Sequence, residues 1–254
     1  MVMIGAGNVG THLSLALKSA GHNIMQVYSR TEGRAGVLAK KLDTSYATDI
    51  NAIYREADIY ILSLNDNVIP EILNYAVLKG KFLLHTAGSI GLDIFEGITD
   101  NYGVIYPFQT FSVTRDVDFR EVPVCVEANT KHNQDILMDI GRSISGDVHV
   151  IDSEKRQYLH LAGVFACNFV NQMYYYAKKV LDNQGLPFDL IKPLLSETAE
   201  KARDILPEKA QTGPAVRNDR NIIDKHISLL SGAEKMQKMY NFVTESIINN
   251  NLKM

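Results

Sequence analysis

The chain is poor in the features that mark several classes of protein. It has two cysteines, Cys125 and Cys167, in 254 residues. They lack zinc-ligand spacing and are too few for a disulfide framework, so no metal site is expected, and a reducing, cytoplasmic compartment is. A cationic surplus is also missing: 26 Lys and Arg stand against 29 Asp and Glu, and no basic stripe of the nucleic-acid-binding kind is visible. No apolar run reaches the roughly 18 residues needed to cross a bilayer. The N-terminus carries no signal-peptide pattern and opens on Val2-Met3-Ile4 and a glycine loop. Nucleic acid and membrane are therefore not expected as partners, whereas a small molecule is. What remains is an ordinary globular composition, 46% apolar and 22% charged, at a length that suits one large domain or two.

Over residues 1–151, short β-rich runs alternate with helix-length segments. Strands are expected at 2–4, 23–28, 57–64, 82–85, 104–106, 122–126 and 148–151, and helices at 9–20, 32–41 and 131–143. Continuous apolar runs between helices mark strands buried on both faces, which predicts an α/β fold with a doubly wound, largely parallel sheet. From 152 to 254 no strand pattern persists and an all-α domain is expected. Asp152 or Ser153 can cap a helix running to about Asn183. This helix is apolar nearly all round, so it must be covered on several sides. A second copy of the chain is the expected cover, making this a dimerisation domain; the alternative is cover by the N-terminal domain and the later helices, at 189–206, 218–230 and 233–250.

The most informative motif is Gly5-Ala6-Gly7-Asn8-Val9-Gly10, placed between a strand and a helix at the head of a βαβ unit. There it reads as a Rossmann dinucleotide loop. Gly5 serves the tight turn, Gly7 the approach of a diphosphate and Gly10 the packing of helix on strand, while the helix N-terminus favours the phosphate charge. The second strand ends in Ser29 and Arg30, with Arg34 one turn later. Where an NAD site places an acidic residue, a hydroxyl and guanidinium groups suit a 2′-phosphate, so NADP is the expected cofactor; Glu32 is the one residue that speaks for NAD. Ser63, Leu64, Asn65 and Val68 follow the next strand and should skirt the adenosine and the nicotinamide ribose.

His85-Thr86-Ala87-Gly88-Ser89 should lie at the nicotinamide end, although His85 reads equally well as a buried strand-end histidine bonded to backbone. Tyr106-Pro107-Phe108-Gln109-Thr110-Phe111 could wall a substrate pocket. On the long helix, an α-helical 100° per residue puts His160, Asn168 and Asn171 on one side. They face a ligand, a water or a dimer contact, because a buried polar group needs a partner. A histidine side chain suits a general acid, which makes His160 the candidate. In the segment 211–219, Arg217 could clamp a carboxylate or simply pair with Asp219.

Together the glycine loop, Tyr28-Ser29-Arg30, the segments 85–89 and 106–111, the stretch His160 to Asn168, and Thr212-Gly213-Pro214-Ala215-Val216-Arg217-Asn218-Asp219 resemble one family. It comprises bacterial Rossmann-like proteins with a helical C-terminal domain of unassigned function, described as NADP oxidoreductases. The layout is similar to that of pyrroline-5-carboxylate reductase, the deazaflavin-dependent NADP oxidoreductases and the 6-phosphogluconate dehydrogenase group, whose helical domains dimerise. The last group carries a catalytic lysine near the start of this helix; here His160 stands nearby, which argues against a 3-hydroxyacid mechanism. The expected activity is NADP-dependent reduction of a small carbonyl or imine, with His160 giving the proton or positioning a water, Asn168 polarising the substrate and Arg217 holding a carboxylate. Ser89, Gln109, Thr110, Asn171, Thr212 and Asp219 are the expected substrate contacts. The competing expectation is an NADP-binding regulatory or sensor protein without turnover.

Overall fold

The computed structural model describes residues 1–251. Its strands are β1 (Val2–Ile4), β2 (Gln26–Tyr28), β3 (Ser45–Ala47), β4 (Tyr60–Leu62), β5 (Leu83–His85), β6 (Tyr102–Pro107), β7 (Val124–Ala128) and β8 (Val148–Val150). They form one sheet in the order β3-β2-β1-β4-β5-β6-β7-β8. Every neighbouring pair is parallel except β6 and β7. The central strands β1, β4 and β5 are buried along their whole length, as strands covered on both faces must be. Successive side chains still serve opposite layers. Met3, Ile61 and Leu84 join one core with Leu13, Leu17, Leu38, Leu137 and Ile140, whereas Ile4, Leu62 and Leu83 join the other with Ile69, Ile72 and Phe95.

The covering helices are α1 (Asn8–Ser19), α2 (Glu32–Leu42), α3 (Ile69–Leu73) and α4 (Lys131–Ile144). Strand order turns back at β1, which lies between β2 and β4. In an open α/β sheet that switch point leaves a crevice beyond the carboxyl ends of the strands, where ligands bind.

The described residues fall into two compact units, divided between Phe169 and Val170. The first ends in α5 (Ser153–Gly163) and a π-helical stretch, Val164–Phe169. Asp152 caps α5, its carboxylate accepting the Lys155 N–H at 2.8 Å. The second unit is wholly helical: α6 (Val170–Asp182), α7 (Lys192–Asp204), α8 (Pro207–Ala210), α9 (Arg220–Leu229) and α10 (Glu234–Asn251). Its own core is small, with Ala215, Ile223 and Ile248 buried against Ile227, Tyr240 and Ile247. No described helix is long and apolar enough to cross a membrane.

Three expectations from the pattern need correction. β3 has no counterpart among them, because it is a three-residue edge strand with Ser45 and Tyr46 exposed and so shows no apolar run. The uniform α-helix expected over 153–183 is interrupted by the π-helical residues, where hydrogen bonds span one residue more than in an α-helix. α9 begins at Arg220 rather than Asn218, since Asn218 takes a left-handed φ of 50° and Asp219 caps the helix.

Candidate functional site

The glycine loop links β1 to α1 at the switch point. Gly5 has φ +119°, and a Cβ there would lie 2.0 Å from the Ser63 carbonyl oxygen, so no other residue fits. A Cβ on Gly10 would lie 2.4 Å from the Gly5 oxygen. Gly7 differs: nothing lies within 4 Å of the Cβ it lacks. The space is open on the ligand side, and a side chain there would fill it. Gly7 is also the N-cap of α1, and no side chain bonds to that helix start. The first-turn N–H groups therefore have no intrahelical acceptor, and their positive end faces the open space. This is the arrangement a diphosphate needs.

Gly5, Gly7, Ser29, Arg30, Arg34, Ser63, Leu64, Asn65 and Val68, all singled out from the sequence, line one groove. Asn8 and Arg34 also border the adjoining cleft of about 490 Å³, with Lys41. Ser29 organises the turn after β2 by accepting the Thr31 N–H at 3.4 Å. Glu32, the residue that spoke for NAD, is engaged elsewhere: it accepts the Tyr46 hydroxyl at 3.1 Å and is not among the groove-lining residues. The residues present thus fit a dinucleotide, and the cations beside Ser29 fit a third phosphate.

On the other side of Asn8 and Val9 lies a cavity of about 400 Å³. Tyr106, Phe108, Gln109, Thr110 and Phe111 line it from β6 and the segment after it; His160, Gly163, Val164, Ala166, Cys167 and Asn168 line it from α5 and the π-helical stretch. His160 and Asn168 therefore do share a cavity, although the 100° arithmetic that put them together does not hold through π-helical residues. The His160 Nδ1 lies 3.1 Å from the Tyr106 hydroxyl. Burial pushes that phenol up to about 12.

Beneath these walls is a buried polar layer. His85 has no exposed surface. Its Nδ1 accepts the Ala87 N–H at 3.1 Å, its Nε2 lies 3.4 Å from the Gly91 oxygen, and its ring packs on Phe95. Burial, helped by the Arg156 guanidinium, pushes it down to about 3. Of the two readings of His85, these contacts favour the buried strand-end histidine: the ring turns into the sheet's core and supports the following loop from inside. Thr86 is likewise buried and donates to the Ser63 hydroxyl at 3.2 Å. Ser89 is exposed and bonds to Asp66.

Arg156 went unnoticed in the sequence. It is fully buried and paired with Glu127, and its Nη2 donates to the Ile90 oxygen at 2.6 Å and to Ser153 Oγ at 3.2 Å. Glu127 also accepts the Ser153 N–H and hydroxyl at 3.0 and 2.8 Å. This cluster ties the start of α5, the helix that carries His160, to the segment after β5. No local signal marks it, because its neighbours Glu154, Lys155 and Gln157 are polar as well and read as a solvated first turn.

Asn171, Thr212, Arg217 and Asp219 belong to the second unit. Asn171 is exposed on α6, and Thr212 and Arg217 are exposed between α8 and α9. Asp219 accepts the Ile222 N–H at 3.3 Å as the cap of α9, one of the two residues, with Asn218, that the sequence offers as the start of that helix. Among the described residues no group of His, Cys, Asp and Glu is disposed to hold a metal ion.

Sheet order, switch point and cradle define a Rossmann-like protein. A Rossmann-like domain model matches residues 1–108, and the model described as "Domain of unknown function (DUF2520)" matches residues 122–247. A crystal structure of a "putative NADP oxidoreductase" from Bacteroides fragilis is 44% identical with a TM-score of 0.94, covering 98% of this chain and 97% of that one. The chain therefore belongs to one family with the Bacteroides protein, and in this chain a Rossmann-like domain is followed by DUF2520. A Thermotoga maritima protein is 22% identical with a TM-score of 0.76, over 96% of this chain and 100% of that one. An imine reductase from Myxococcus stipitatus, solved in complex with NADP+, shares the fold at 15% identity and a TM-score of 0.68, over 99% and 92% of the two chains. No curated protein matches the chain.

Proposed function

We propose that this chain is an NADP-dependent oxidoreductase that reduces a small carbonyl or imine compound. The observation that carries the reading is the coincidence, in one groove, of an uncapped helix start at Gly7 with Ser29, Arg30 and Arg34. The Bacteroides relative is described as an NADP oxidoreductase, which supports the cofactor and the reaction class. NADPH, when bound, supplies hydride; the chain supplies orientation and electrostatics. The amides of the α1 start hold the diphosphate, Arg30 and Arg34 hold the 2′-phosphate, and Asn65 and Val68 flank the ribose. His160 gives the proton or positions a water that does, and Asn168 polarises the substrate heteroatom. Gln109, Thr110 and Ser89 complete the substrate contacts. Residues 152–254 form the substrate and dimerisation domain of a cytoplasmic homodimer.

Thermal shift tests the cofactor. NADPH should raise the melting temperature more than NADH at equal concentration. The double change Ser29→Asp, Arg30→Ala should lower the NADPH preference about 10- to 100-fold, the worth of one charge-assisted hydrogen bond. NADPH oxidation over keto acids and cyclic imines tests turnover. No shift with either dinucleotide would end the proposal.

A further inference from the structure

We propose that Tyr106 is a positioning residue that keeps a hydrogen on Nε2 of His160, so that this ring offers a donor to a substrate heteroatom in both of its charge states. The purpose of this arrangement rests on the reductase reading above; its geometry does not.

The argument starts from one hydrogen. The Tyr106 hydroxyl has a single bonding partner among the described residues, His160 Nδ1 at 3.1 Å. A phenol hydrogen held in a half-buried place goes to the acceptor available. Burial outweighs the pull of Arg156, and with Cys125 and Asp66 it keeps this phenol neutral far above physiological pH. The hydroxyl is thus always able to donate. A neutral imidazole has one N–H and one bare nitrogen. If Nδ1 accepts from Tyr106, the ring's own hydrogen must sit on Nε2. When the ring is protonated, both nitrogens carry hydrogen and Nδ1 donates to the phenol oxygen instead. Nε2 is a donor in either case. The opposite neutral form would donate Nδ1–H to the phenol oxygen, strand the phenol hydrogen without an acceptor among the described residues, and leave Nε2 as a bare acceptor, unable to polarise a carbonyl.

The surroundings fix the ring as well as its hydrogen. The two rings meet edge to face, with centroids 6.3 Å apart, and Tyr106 is steadied by Phe108 at 6.1 Å. The third side is the backbone of Gly88, where a Cβ would lie 2.7 Å from Nδ1. Nε2 has no hydrogen bond to the protein among the described residues, and the ring lines the cavity that Asn8, Val9 and Asn168 also border. The free nitrogen is therefore the one left for a ligand. Neutral histidines fixed in this way serve as electrophiles toward carbonyl oxygen in other enzymes.

The test reads the ring directly. In protein labelled with 15N at its seven histidines, long-range 1H–15N correlation spectra report which nitrogen of each ring carries hydrogen, and His160→Gln assigns the signal. The expected result is a pyridine-like Nδ1 and a pyrrole-like Nε2 for His160 at a pH where the ring is neutral. Tyr106→Phe, which keeps the ring packing, should give a mixture of both forms while the buried His85 signals stay in place as a check on folding. Where turnover is measurable, the same variant should lose about five- to tenfold in kcat with KM little changed, as expected for one neutral hydrogen bond. A pyrrole-like Nδ1 in the wild-type protein, or an unchanged His160 signal in Tyr106→Phe, would overturn the assignment. Since the spectra need no substrate, an absence of turnover on every compound tried would count against the reductase reading alone.

Discussion

Among single residues, His85 is fully buried, with both ring nitrogens directed at backbone. Its folded value of about 3 lies below the ordinary 6.5, chiefly through burial. In the unfolded chain the ring takes up a proton as pH falls through 6.5; in the folded protein it stays neutral down to about 3. The stability this confers is complete above pH 6.5 and declines below it, by about 1.4 kcal/mol per pH unit. Urea unfolding at pH 7 and pH 5 should differ by about 2 kcal/mol more in the wild-type protein than in His85→Asn; equal pH dependence would show that the ring is not buried neutral. The sequence offered two readings of this histidine and no means of choosing, because its orientation depends on Phe95 and on backbone six residues away. Gly5 and Gly10 were legible because their roles in the turn and in helix packing follow from local spacing within one βαβ unit. Arg156 was not legible, since its partners Glu127 and Ile90 lie 29 and 66 positions off.

For the elements, the same contrast holds. α1, α2 and α4 were readable from their periodicity, and β1, β4 and β5 from unbroken apolar runs; β3 and the π-helical residues were not, the first because an exposed edge needs no apolar signal and the second because a longer hydrogen-bond step has no residue signature. What holds α5 in place is the Arg156–Glu127 cluster. Arg156 Nε has no partner among the described residues, so the guanidinium already lacks one bond and depends heavily on its carboxylate. Removing one member of a buried pair leaves the other charge uncompensated, at a cost of about 3–5 kcal/mol. Glu127→Gln should therefore show a loss of that size in urea unfolding, and the double change Arg156→Met, Glu127→Leu should recover most of it. A loss below about 1 kcal/mol in the single variant would mean that the cation is solvated after all.

On the scale of the whole molecule, apolar exposure points to assembly. Tyr158, Leu161 and Phe165 are exposed by 67%, 50% and 61% of their surface, and contiguous apolar surface on a folded chain marks an interaction site. The homodimer proposed above would cover them. Sedimentation should give twice the 28.3 kDa chain mass for the wild-type protein, and the single-chain mass for Leu161→Glu, Phe165→Glu; a wild-type monomer would remove the dimer from the proposal. Chain order carries a separate consequence. The lining of the nucleotide groove is complete at Ile72, whereas the neighbouring cavity awaits Asn168. Those segments leave the ribosome roughly 100 residues apart, several seconds at about 5–20 residues per second. During synthesis the grip on a nucleotide is thus spelled out well before the wall that would give it anything to react with.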